Sequence, residues 1–120
     1  MSDIEKRIAM EHKVVAKLVE VAKAAGWAAV AVHDGERRVP CTTFEDVEGA
    51  VFSVDECHII FLLPRPDLNS VRQLVQIVLG NDGYDCIADH SDSDDGFVAN
   101  VMDPMQDYCD GLSEGLHLGS

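Results

Sequence analysis

Residues Cys57 to Leu63, CHIIFLL, form a near-continuous apolar run of strand length in a chain of 120 residues. A strand with so little polar alternation is expected at the centre of a sheet, covered on both faces. Pro64, Arg65 and Pro66 end it, because proline supplies no ladder donor and restricts the residue before it. The rest of the chain must therefore provide neighbouring strands and something to lie against them.

The flanking segments read as those neighbours. Ser2 and Glu5 stand in capping-box spacing. The helix that follows, from about Asp3 to Ala25, places Ile4, Ile8, Val15, Leu18, Ala22 and Ala25 on one face, and Gly26 closes it. Trp27 to His33 reads as a strand. Asp34-Gly35 is a two-residue hairpin signal of type I′, which needs positive φ twice. Glu36 to Cys41 then returns antiparallel, and Pro40 puts that strand at an edge or ends it. Thr42 and Glu45 have capping-box spacing for a short helix carrying Phe44, Val47 and Val51 and ending near Ser53.

Ser70 to Leu79 fits helical spacing and also forms a β-branched run. The turn chemistry of Asn81-Asp82-Gly83, followed by a strand pattern from Tyr84 to His90, favours strand, turn, strand. Phe97 to Met102 is apolar without a clear period. Asp103 as N-cap and Pro104 at the first helical position open a last helix that docks Met105, Tyr108, Cys109 and Leu112. The fold class is α+β: an N-terminal helix on a small, mostly antiparallel sheet, in the order α-β-β-α-β-β-β-α. Residues 1–112 form the single domain and 113–120 a flexible C-terminal tail.

Charge narrows the partners. The net charge is −13, and all nine lysines and arginines lie between Lys6 and Arg72. From Gln73 onward there are ten acidic residues and no basic one. Such a surface repels phosphate backbones, which disfavours direct nucleic-acid binding, and it attracts cations or a basic protein. No stretch approaches the roughly 18 apolar residues of a membrane helix. The N-terminus lacks the apolar core of a signal peptide. Both readings place the chain in the cytoplasm, where Cys41, Cys57, Cys86 and Cys109 are reduced thiols.

Three stretches, AAGWAAVAVHDGE, FSVDECHIIFL and GNDGYDCIADHS, together resemble a group of small hypothetical proteins of proteobacterial phages and plasmids. The group's pattern is helix, DGE hairpin, short helix, strand, a second hairpin and a last helix. The resemblance spans most of Ala24 to Ser91. It implies the hairpin reading of Val71 to His90 and an accessory role in a mobile element, and it implies no activity. The chain departs from the group at His90, where an aromatic is common, and in a longer acidic loop, Asp92 to Gly96.

The chemical motifs are incomplete. Placing Gly96 at the sixth position of a calcium loop makes Ser91, Ser93 and Asp95 ligands, but the twelfth position is Met102 in place of a bidentate glutamate. Cys86 and His90 would share a strand face and could join Cys57, His58 and Cys109 around zinc, yet no CxxC or HxxxH spacing is present. Cys57 and Cys86 are better read as small core residues. Cys41, beside a helix start, is the candidate nucleophile if His33 or His58 approaches it. Asp85 and Asp89, near Tyr84 and His90, could share acid–base work in a cleft, though an exposed polar sheet face is the commoner outcome. Gly80-Asn81-Asp82-Gly83 lacks the lysine of a phosphate loop.

The sequence therefore reads as a non-catalytic protein-interaction or accessory module, with no cofactor and no metal site. Its partner is another protein, and edge strands favour a homodimer. A narrower alternative is a DNA mimic that inhibits a nucleic-acid-binding protein. There, Asp82, Asp85, Asp89, Asp92, Asp94, Asp95, Asp103, Asp107 and Asp110 would fill a basic groove. A second alternative is a small enzyme or metal-binding protein using the Cys, His and Asp set.

Overall fold

The structure is a computed structural model. It describes residues 3–64, 71–80, 86–90 and 96–118, with side chains from Ile4 to Leu112. The elements run α1 (Asp3–Ala24), β1 (Ala28–His33), β2 (Arg38–Pro40), α2 (Phe44–Val51), β3 (Glu56–Leu63), β4 (Val71–Val78), β5 (Ile87–His90), a π-helical turn (Val98–Met102) and α3 (Asp103–Leu118). Among the described residues the strands form one antiparallel sheet in the order β2-β1-β3-β4-β5. The α+β class, the element order and the central place of the CHIIFLL strand are as the sequence indicates. Val71–Val78 is a strand and not a helix.

Helix α1 crosses one face of the sheet. Val14, Val15, Leu18 and Ala22 are buried there against Ile59, Phe61, Val75 and Ile77. Gly26, at φ +93°, ends the helix. Its amide donates to the Lys23 carbonyl (3.0 Å) and that of Trp27 to the Ala22 carbonyl (2.8 Å), a Schellman closure. The apolar stripe is shorter than its pattern suggests. Ile4 and Ile8 are 61% and 40% exposed. A helix of 22 residues spans about 33 Å, longer than the strands it lies on, so its first turns overhang. The capping box through Ser2 lies outside the described residues.

Glu11 is a buried carboxylate on the same helix, 2% exposed. It accepts from the Gly80 amide (2.8 Å), just past the end of β4, and stands 3.7 Å from the Arg7 Nε. The helix is thereby fixed to one end of the sheet by a charge-assisted hydrogen bond.

Two turn assignments are corrected. The β1–β2 connection is a four-residue loop, Asp34 to Arg37, and not a type I′ turn. Gly35 has φ +99°, and no described non-glycine residue has positive φ. Asp34 Oδ1 accepts from the amides of Glu36 (2.9 Å) and Arg37 (2.7 Å), so the side chain supplies the turn that the backbone was expected to make. The α2 cap sits one residue later than the sequence suggests. Thr43 is the N-cap, and Asp46, not Glu45, closes the box. The Asp46 carboxylate accepts from the amide and hydroxyl of Thr42 (both 3.0 Å) and from the amide of Thr43 (3.2 Å), which outweighs what Glu45 could reach.

The last helix is also corrected. Asp103 is not an N-cap. It lies inside one continuous helical path, at φ −63° and ψ −48°, and its amide bonds the Val98 carbonyl. Pro104 removes an amide and crowds the carbonyl one turn back. The wider turn from Val98 to Met102 accommodates it. This turn brings Phe97 into the core, where its ring meets Trp27 edge-on (5.0 Å, 78°) and lies 5.7 Å from Phe61. Met105 is buried behind it, with Tyr108, Cys109 and Leu112 packed alongside.

Among the described residues, helices cover β3 on one face. Both α1 and α2 pack on the side of Cys57, Ile59 and Phe61, as do the π-helical turn and α3. Among the described residues no helix lies over the side that carries His58, Ile60 and Leu62.

Candidate functional site

Two surfaces hold the polar chemistry. The first is the outer side of α3. Asp103, Asp107 and Asp110 are exposed, and their spacing of four and then three residues places them on one stripe. Gln106 donates to Asp110 (3.0 Å) and holds that carboxylate on the stripe. Of the remaining acidic candidates, Asp89 lies on β5. It and Asp103 line a groove of about 310 Å³ between β5 and the start of α3, with His90, Val98, Met102 and Gln106. Asp82, Asp85, Asp92, Asp94 and Asp95 lie outside the described residues. The stripe is not free of cations nearby. Lys17 of α1 holds its ammonium 5.7 Å from the Tyr108 ring centroid on α3.

The second surface is the open face of the sheet, which the sequence reading missed. The strand register sets one residue of every strand side by side: Arg38 opposite His33, His33 opposite His58, His58 opposite Gln76, and Gln76 opposite Asp89. Gln76 also donates to Glu56 on this face. His33 Nδ1 accepts from the Gly35 amide (3.0 Å), which leaves its neutral-form proton on Nε2. A hollow of about 260 Å³ lies where His58, Leu74, Gln76, Asp89 and His90 meet. The signal available beforehand was alternation: His58 and Gln76 each sit between residues of the covered face. The pairing that aligns them is a property of register, which no local pattern states.

The thiols are poorly placed for nucleophilic work. Cys41 is buried with its Sγ donating to the Val39 carbonyl (3.5 Å). Burial, then the nearby Asp46 carboxylate, pushes its thiol above the ordinary range. Burial pushes Cys57 up to about 11, with Asp34 and Glu56 adding to it. Cys86 is fully buried. Cys57 and Cys86 are thus core residues, remote from thiolate chemistry.

Among the described residues no three His, Cys, Asp or Glu side chains converge as a metal-ligand set. The calcium-loop candidates Ser91, Ser93 and Asp95 lie outside the described residues. A bulge between the pairs Gln76–Asp89 and Ile77–Ile87 breaks the strict alternation on which a shared face for Cys86 and His90 depends. In the glycine-rich stretch Gly80 to Gly83, the one described amide, that of Gly80, is taken by Glu11. Among the described residues no helix is long and apolar enough to cross a membrane.

No family model, no curated protein and no solved structure matches the chain. The functional reading rests on the residues themselves.

Proposed function

We propose that this chain is a non-catalytic protein-binding module that presents the carboxylate stripe of α3 to a basic partner protein. The observation that carries the reading is the alignment of Asp103, Asp107 and Asp110 on the exposed side of a helix whose opposite side, through Met105, is fixed in the core. A rigidly held row of like charges raises the local concentration of a basic partner and speeds its docking. The same stripe supports the accessory role that the phage and plasmid resemblance implies.

The narrower reading is a DNA mimic, favoured by the 48 residues from Gln73 onward that hold no lysine or arginine. Lys17 beside Tyr108 interrupts that field from the α1 side, so a general basic-protein partner fits the stripe better. One experiment separates the readings. Immobilised protein and an Asp103→Asn/Asp107→Asn/Asp110→Asn variant are each loaded with bacterial lysate at low ionic strength and eluted in salt steps. The expected result is a stoichiometric partner held by the native chain, released at modest salt and lost by the variant. Retention by both proteins overturns the reading. A partner displaced by added duplex DNA identifies the mimic.

A further inference from the structure

The open face of the sheet is complementary to itself, and we infer that two copies of this chain stack face to face through it. The relevant symmetry is a two-fold axis lying between the sheets and parallel to β3. Such an axis keeps each cross-strand row over itself but reverses its order, so β2 of one copy faces β5 of the other and β1 faces β4.

In the polar row, that reversal sets Arg38 over the partner's Asp89 and His33 over the partner's Gln76, with His58 at the axis. Each pairing occurs twice. The first joins opposite charges. The second joins a donor to an acceptor: His33 offers Nε2–H because Nδ1 is taken by Gly35, and Gln76 offers Oε1 because its Nε2 is taken by Glu56.

The neighbouring rows agree in shape. Ala31, Ile60 and Leu74 lie side by side, as do Ala28, Leu62 and Arg72. Reversal brings the small residues of β1 opposite the large residues of β4, Ala31 under Leu74 and Ala28 under Arg72, with Ile60 and Leu62 at the axis. Ala31 and Ile60 are already closed off within each copy, so the contact in these rows falls to Ala28, Leu62, Arg72 and Leu74.

The charge balance also suits a second copy. The chain carries −13, which opposes self-association in general. Among the described residues, the open face carries Arg38 and Arg72 against Glu56 and Asp89, two charges of each sign. Stacking would also cover the second side of the CHIIFLL strand, whose continuous apolar pattern is that of a strand buried on both faces.

The test is sedimentation equilibrium on the full chain and four variants: Arg38→Asp, Asp89→Arg, the two combined, and Leu74→Lys. Arg38 and Asp89 are exposed, and far-ultraviolet circular dichroism confirms that each variant is folded. The expected result is a native species of twice the 13.1 kDa chain mass. Each single charge reversal weakens it about tenfold, since two like-charge contacts replace two attractive ones. The combined variant returns to within about threefold of native, and Leu74→Lys is monomeric. A native chain that stays monomeric at several hundred micromolar overturns the inference. So does a dimer indifferent to Leu74→Lys, or a combined variant no tighter than the single ones.

Discussion

The two faces of the sheet are made from alternate residues of the same strands, yet they follow different rules. On the covered face, Cys57, Ile59, Phe61, Val75 and Ile77 meet four helical segments and are excluded from water. On the open face, His58, Leu62, Leu74, Gln76 and Val78 are half-buried, and only the centre, Ala31 and Ile60, is closed off. The first face holds the fold together, while the second leaves most of its side chains partly open to solvent.

The sharpest break of this comparison is Phe61→Ala. Phe61 is fully buried and stands 5.7 Å from the Phe97 ring. Its removal deletes the contact between the central strand and the π-helical turn. The expected cost is about 3–5 kcal/mol, a large part of the stability of a domain this size. Urea denaturation followed by tryptophan fluorescence measures it directly, since Trp27 packs on the same Phe97 ring. A loss below about 1.5 kcal/mol would mean that the helical layer does not depend on this strand.

Which parts of this division the sequence displayed follows from how far each signal reaches. The helix α1, the β1–β2 hairpin, the central strand and the strand character of Val71–Val78 are written in periods and turn residues a few positions apart, and they are legible. The position of the α2 cap was off by one because Thr42 and Thr43 are both competent, and only the three bonds taken by Asp46 decide between them. The helical path through Pro104 was misread because Asp-Pro is also the signature of a helix start. The acidic residues were visible as composition, whereas their alignment on one side of α3 requires the helix to be placed first. The polar row on the open face was not visible, since it unites residues from five strands separated by as many as 56 positions, His33 to Asp89.

The α2 cap tests the same comparison at smaller scale, because α2 covers the sheet with Val47 and Val51. Thr43→Ala should cost about 1 kcal/mol, read by the same denaturation. The Asp46 half of the box shows itself in pH. The backbone amide and hydroxyl of Thr42, with the amide of Thr43, hold the Asp46 carboxyl below the ordinary carboxylate range. A group depressed in the folded state stabilises it above the unfolded-state value, near 3.9 for aspartate. That contribution is lost as pH falls through the lower folded value. Native protein should therefore lose stability between about pH 5 and pH 2 more steeply than Asp46→Asn, which has no proton to take up there. Parallel slopes for the two proteins would remove the carboxylate from the cap.

The smallest effect belongs to the open face. His58→Thr exchanges a half-buried imidazole at the centre of the polar row for a residue suited to a strand. Its cross-strand neighbours, His33 and Gln76, keep their bonds to Gly35 and Glu56, so no buried donor or acceptor is stranded. In protein dilute enough to be monomeric, the change should fall within about 0.5 kcal/mol, the range of ordinary surface substitutions. The same substitution measured at high concentration adds whatever the second copy contributes, because a partner that binds only the folded state raises its apparent stability. A loss above about 2 kcal/mol in dilute protein would show His58 to be part of the monomer's core and would erase the distinction between the faces. A loss that grows with concentration places the weight of this residue between molecules, where the reversed row puts it on the symmetry axis.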